Sequence, residues 1–125
     1  MSLAKQLNDF CYELLKNRDS LKSTIKTIKD EEFFRRVLFN RLYYSLFHKY
    51  LELDDELRNS NVKKHEAIKE KLKYSKNIKF YLQFVKLQNL RIWADYRYDD
   101  YEKAKSINLN KLLRDVHKLI EMRKI

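Results

Sequence analysis

The sequence predicts an all-α protein, a helical bundle in which five helical segments can be drawn. Three observations predict it: no glycine or proline occurs in 125 residues, apolar side chains recur at helical spacing, and Asn, Asp and Ser fall between the apolar runs. Glycine and proline supply the hairpin turns, bulges and tight loops that a β or α/β chain needs, so their absence argues against both classes. A helical bundle turns its corners with Asn, Asp, Ser and Lys. Apolar residues at 44% suffice for one core, which argues against disorder despite 37% charge. The length suits one domain, and no repeat or linker-like stretch divides it, so residues 1–125 are read as a single unit.

Taken in order, a first helix is predicted from Leu3 to Asn17, with Leu3, Leu7, Phe10, Cys11, Leu14 and Leu15 at helical spacing. The polar stretch from Arg18 to Lys29 is a loop or a weak helical extension. Asp30 is a candidate N-cap for a second helix, with Glu31 and Glu32 favourable in its first turn, and the pattern continues to Leu57. Asn59, Ser60 and Asn61 offer caps for a third helix, Val62 to Tyr74. A fourth, aromatic helix spans Asn77 to Tyr98. Asn108 or Asn110 caps the last, which carries Leu112, Leu113, Val116, Leu119 and Ile120.

The net charge of +10 suits an anionic partner such as nucleic acid. Lysines outnumber arginines 19 to 9, however, and with the many Asn and Ile residues this is also what the codon bias of an AT-rich genome produces. Residues 61–80 hold seven Lys against two Glu, half of the net charge; most such runs are solvated faces, and the value of this one depends on where the active helix lies. A single cysteine, Cys11, excludes an internal disulfide framework and a cysteine-based zinc site and reads as a packed thiol. No apolar run approaches the ~20 residues that span a bilayer, and the N-terminus lacks the apolar core of a signal peptide. A cytoplasmic location and no membrane association are expected.

At about 100° per residue, Arg41, Ser45, His48, Glu52 and Asp55 fall in one arc of the second helix. Phe39, Tyr43, Leu46, Tyr50, Leu53 and Leu57 lie opposite, flanked by Leu42 and Phe47. The simplest reading is an amphipathic helix whose polar face meets water. Two features set this face apart: an Arg and a His two turns apart, and the apolar Phe34 and Val37 upstream on the same arc, a mixture typical of an interface.

The string Asn40-Arg41-Leu42-Tyr43-Tyr44-Ser45-Leu46-Phe47-His48 resembles the Arg-x-Tyr-Tyr-Ala-x-Phe-His segment of HEPN domains, whose hallmark is an Arg followed after four to six residues by a His. Leu90-Arg91-Ile92-Trp93-Ala94-Asp95-Tyr96 is similar to the Arg-x-x-Ala-Asp-Tyr segment of one branch of that family, as is His65-Glu66. The resemblance covers Phe34 to Tyr98. It implies a four-to-five-helix bundle that forms a homodimer, with two Arg–His helices around one cleft. It also implies a metal-independent endoribonuclease, often a toxin paired with a nucleotidyltransferase antitoxin, or a relative that binds RNA or nucleotide without cutting.

The residues suit that chemistry. RNA is cleaved by its own 2′-hydroxyl once a base removes the proton and a cation stabilises the phosphorane. Histidine titrates near neutrality, and arginine carries a permanent charge on a planar fork matched to phosphate oxygens. His48 is therefore the candidate acid–base group and Arg41 the candidate phosphate-stabilising group, with Asn40, Tyr44 and Ser45 in support. No cofactor or metal is expected.

Leu42 departs from the polar residue that many active relatives carry directly after the Arg. Tyr50 completes the His-x-Tyr pattern of toxin members, in which the Tyr can be adenylylated by the partner. On an ideal helix Tyr50 points about 200° from His48, so it is either a core residue or exposed by a local irregularity. Lys63, Lys64, Lys69 and Lys71 are candidates for RNA binding. Arg91 and Asp95, four apart, are an ordinary intrahelical pair or a brace for the active helix. His65 reads as a surface residue near a helix start and His117 as structural. Three function classes stay open: an RNA-cleaving toxin, a non-catalytic RNA, nucleotide or partner-binding module, and an unrelated basic helical protein.

Overall fold

A computed structural model describes residues 2–124. Among these the chain is all-helical: α1 (Leu3–Lys16), α2 (Arg18–Leu21), a 3-10 turn (Lys26–Lys29), α3 (Glu31–Leu53), α4 (Asp55–Arg58), α5 (Lys64–Lys73), α6 (Ile78–Tyr96), α7 (Tyr101–Lys105) and α8 (Leu109–Ile120). Five of these have ten or more residues. No helix among the described residues is long and apolar enough to cross a membrane.

Helix starts follow the chemistry of orphan backbone N–H groups. The side chains of Ser2, Asp30, Asp54 and Asn108 each accept from the third residue on, at 2.9–3.1 Å. Asp54 also corrects the expected end of the second helix. Its extended backbone (φ −139°, ψ 108°) stops α3 at Leu53, and its carboxylate caps α4, which contains Leu57. The stretch expected to be loop or weak helix is α2 plus the 3-10 turn. Without glycine, the turn into α7 uses Asp100 at φ 60°, a left-handed conformation that Asp tolerates better than most residues.

Helix α3 is the axis of the bundle. Phe34, Leu38, Phe39, Leu42, Tyr43, Leu46 and Tyr50 are fully buried along it. Helix α1 runs antiparallel on one side: Glu52 accepts from the Ala4 amide (3.1 Å) and the Ser2 hydroxyl (2.7 Å), and Cys11 lies against the Leu38 carbonyl. Burial pushes the Cys11 thiol up to about 12, as expected of a packed thiol. Helix α6 runs antiparallel on another side, with Trp93 against Phe39 and Phe84 against Tyr43 and Tyr50. Helix α8 packs on both α1 and α3, and α5 lies on α6.

Three of the arginines are structural. Arg35 donates to the Ala104 and Ile107 carbonyls at the end of α7 (2.8 and 2.9 Å). Arg36 donates to the Trp93 and Ala94 carbonyls at the end of α6 (2.8 and 3.1 Å) and lies 4.1 Å over the Trp93 ring. Each arginine satisfies carbonyls that a helix end leaves orphaned. Arg18 does the same for Ile28, pairs with Glu31 and covers Phe34.

Candidate functional site

With α1, α6 and α8 packed around it, α3 keeps a partly open stripe that holds Phe33, Val37, Asn40, Arg41, Tyr44 and His48. This stripe is rotated from the expected polar arc, and the reason is α1. Ser45 lies on the helical wheel between Leu38 and Glu52, both of which meet α1, and it is fully buried with its hydroxyl donating to the Leu42 carbonyl at 2.6 Å. The expected supporting role of Ser45 is therefore corrected: its hydroxyl is turned inward and spent on the backbone. Glu52 anchors the start of α1, and Asp55 belongs to α4, where it pairs with Arg58.

Arg41 and His48 both lie on the open stripe, separated by Tyr44. Seven residues place them about 10.5 Å apart along the helix axis. The Arg41 guanidinium lies 5.7 Å from the Tyr44 ring centroid, and the His48 ring lies 6.4 Å from the same ring. Arg41 is held by a relay from α6. Its Nε donates to Asn40 Oδ1 at 2.7 Å, Asn40 Nδ2 donates to both Asp95 oxygens at 2.9 and 3.0 Å, and Arg91 Nη1 donates to Asp95 at 3.2 Å. The order fixes the Asn40 amide, because the carboxylate accepts only and the guanidinium donates only. Asn40 is thus a positioning residue with both ends committed, and Arg91 and Asp95 brace it. A cavity of about 320 Å³ lined by Phe33, Arg36, Val37, Asn40, Arg41, Ala94 and Asp95 opens beside this relay.

His48 is half-buried. Burial lowers its pKa below the ordinary 6.5; Glu52 opposes that shift and the Arg41 charge adds to it. Its ring makes no hydrogen bond among the described residues, so a neutral His48 presents a free acceptor nitrogen at neutral pH.

The fold adds a residue that the sequence placed on the surface. His65, at the start of α5, stacks 4.5 Å from Phe47, lies 5.6 Å from Tyr43 and meets Tyr44 edge-on at 6.1 Å. Its Nδ1 is hydrogen-bonded to the Tyr43 hydroxyl. Burial pushes the Tyr43 phenol well above its ordinary value, so it keeps its proton. If Nδ1 were the donor, that phenolic proton would be left without an acceptor, which costs about 1–3 kcal/mol. The hydroxyl therefore donates, and neutral His65 carries its proton on Nε2. Burial and the Arg91 charge keep His65 below the ordinary histidine range, against a weaker opposing effect of Glu66. The adjacent His-Glu pair was the only local signal for this residue, since the Tyr43 contact joins positions 22 apart.

The remaining candidates are scattered. Tyr50 is fully buried in the core, edge-on to Phe84, and its hydroxyl has no hydrogen-bond partner among the described residues. The core alternative is the one the structure has, and Tyr50 is not at the open face. The four lysines differ in their surroundings. Lys63 is exposed beside His65, and Lys64 donates to the Arg58 and Ser60 carbonyls. Lys69 lies half-buried along α5 without an ion pair among the described residues, and Lys71, toward the far end, pairs with Asp54. Lys71, Tyr74, Lys76, Phe80 and Lys124 line a separate cavity of about 910 Å³. His117 has structural partners, Asn8 at 3.0 Å and Glu121 at 3.5 Å. Among the described residues no group of three or more His, Cys, Asp or Glu side chains is placed to hold a metal.

No family model, curated protein or solved structure matches this chain.

Proposed function

We propose that this protein is a HEPN-type endoribonuclease that acts as a homodimer without a metal ion, and that it is the toxin of a pair whose antitoxin is a nucleotidyltransferase. One observation carries the reading: Arg41, Tyr44 and His48 share one partly open stripe of the central helix, with Arg41 fixed through Asn40 and Asp95. All of these residues fall within the stretch that resembles the family.

The reaction asks for three things. A base takes the 2′-hydroxyl proton, the 2′-oxygen forms a bond to phosphorus as the bond to the 5′-oxygen breaks, and a proton is returned to that leaving oxygen. His48, neutral at pH 7, supplies the base. Arg41 stabilises the charge that builds on the phosphorane oxygens. A two-fold pair has two His48 side chains: one, neutral, takes the 2′-proton, and the other, in its protonated form, gives a proton to the leaving oxygen. The apolar Phe33 and Val37 beside Arg41 are suited to bury against a second copy. The products end in a 2′,3′-cyclic phosphate and a 5′-hydroxyl.

A second reading, a module that binds RNA or nucleotide without cleaving it, draws on the arginines around Tyr44. Arg41 and Arg91 each lie 5.7 Å from that ring, an arrangement that holds a nucleotide by charge and stacking alone. Arg41→Lys separates the two. It keeps the charge and loses the planar fork, so cleavage falls about tenfold or more while RNA affinity changes little. Wild-type protein that binds RNA and leaves it intact favours the module.

A further inference from the structure

We infer that His65 is a substrate-binding residue of this site, a hydrogen-bond donor that together with Arg91 holds an RNA phosphate flanking the one that is cleaved. This rests on the proposed reading for the identity of the ligand as RNA; the geometry of His65 does not depend on it. Two histidines of the cluster meet opposite conditions. His48 makes no hydrogen bond among the described residues, so it is free to accept and return a proton. His65 is fixed: its Nδ1 accepts from Tyr43, its ring is stacked against Phe47, and its one remaining polar atom is an Nε2–H donor. A donor locked in this way cannot take the 2′-proton, and it is suited to an anionic oxygen.

Arg91 makes the same corner cationic. Its guanidinium lies 5.3 Å from the Tyr43 ring and 5.7 Å from the Tyr44 ring, the two rings that His65 also meets. Its Nη1 is held by Asp95, so the fork is oriented rather than mobile. Two donor-only groups from different helices therefore converge around Tyr44, on the α6 side of the stripe, next to but distinct from Arg41. Charge-assisted donors of this kind recognise phosphate, and a linear chain of phosphates supplies a second one beside the first.

The test has two readouts, on full-length chain. Long-range proton–nitrogen NMR spectra report the tautomer of each histidine without any RNA; neutral His65 is expected as the Nε2–H form, and Tyr43→Phe is expected to release it to a mixture. His65 found as the Nδ1–H form overturns the proposal. With a fluorescent single-stranded RNA, His65→Leu is expected to raise KM about tenfold with kcat within about twofold, and His65→Gln, which keeps a donor, to recover most of the loss. If the wild type binds that RNA without cleaving it, the ribonuclease reading fails and the same ratios are read in Kd. A His65→Leu variant that loses kcat a hundredfold with KM unchanged makes His65 a proton-transfer group, and unchanged KM and kcat make it a packing residue; either outcome overturns the proposal. If His65→Leu fails to fold, Tyr43→Phe, which keeps the ring in its stack, is expected to raise KM severalfold, and no change in KM refutes it.

Discussion

At the scale of residues, the site depends on a relay. Asp95 touches neither Arg41 nor His48; it holds Asn40, which holds Arg41, and it pairs with Arg91. Asp95→Asn leaves a polar group of the same shape but removes the carboxylate that fixes the Asn40 amide. We expect a roughly tenfold loss of cleavage with the fold intact, measured as initial rates beside circular dichroism, since each relay bond is worth about 1–3 kcal/mol. An unchanged rate would mean that Arg41 needs no brace.

The two site histidines also set a pH dependence. Both are depressed in the folded chain, so the unfolded chain binds protons more readily through this range. Their contribution to stability is complete above about pH 6.5 and is lost as pH falls through the folded values. The melting temperature should therefore drop between pH 7 and pH 5, by less in His48→Ala than in the wild type. Equal drops in the two proteins would exclude a contribution from His48.

At the scale of elements, much was readable from the sequence and the exceptions have physical causes. Helical periodicity and the caps at Asp30 and Asn108 locate α3 and α8 because they are local properties. The end of α3 was missed although its signal is local: Asp54 accepts from Leu57 as Asp30 does from Phe33, but it stands inside an apolar pattern that runs on to Leu57. Ser45 was misplaced on the open face because a helical wheel shows which residues share a side but not which neighbour covers it. His65 joined the site through a contact with Tyr43 that no spacing rule encodes.

Arg36 illustrates the same limit, since in sequence it is one charge among many and in the fold it closes α6. Arg36→Ala should lower the unfolding free energy by about 1–3 kcal/mol in urea titration, through lost carbonyl bonds and the lost Trp93 face. A change below about 0.5 kcal/mol would show that α6 ends without it.

At the scale of the whole molecule, the net charge of +10 overstates what is available to a ligand. Arg18, Arg35 and Arg36 are structural brackets, Lys71 is paired with Asp54, and Lys64 serves a loop. RNA binding should still weaken as salt rises, but neutralising Lys63 and Lys69 should reduce the salt slope by about 1–2, whereas Lys71→Gln should leave it unchanged. The open stripe also predicts association. Phe33 and Val37 beside Arg41 should bury against a second copy, so light scattering at tens of micromolar should give twice the monomer mass, and Val37→Glu should halve it. A clean monomer would remove the two-histidine division of roles.

The central claim is that His48 moves the proton in RNA cleavage, and one measurement addresses it directly. Purified protein is incubated with single-stranded RNA in excess chelator, beside His48→Ala prepared identically. The account predicts cleavage by the wild type to 2′,3′-cyclic phosphate ends and a loss of about 10²-fold or more in the variant, with near-native circular dichroism. Cleavage that survives in His48→Ala, or that appears only when magnesium is restored, would contradict it.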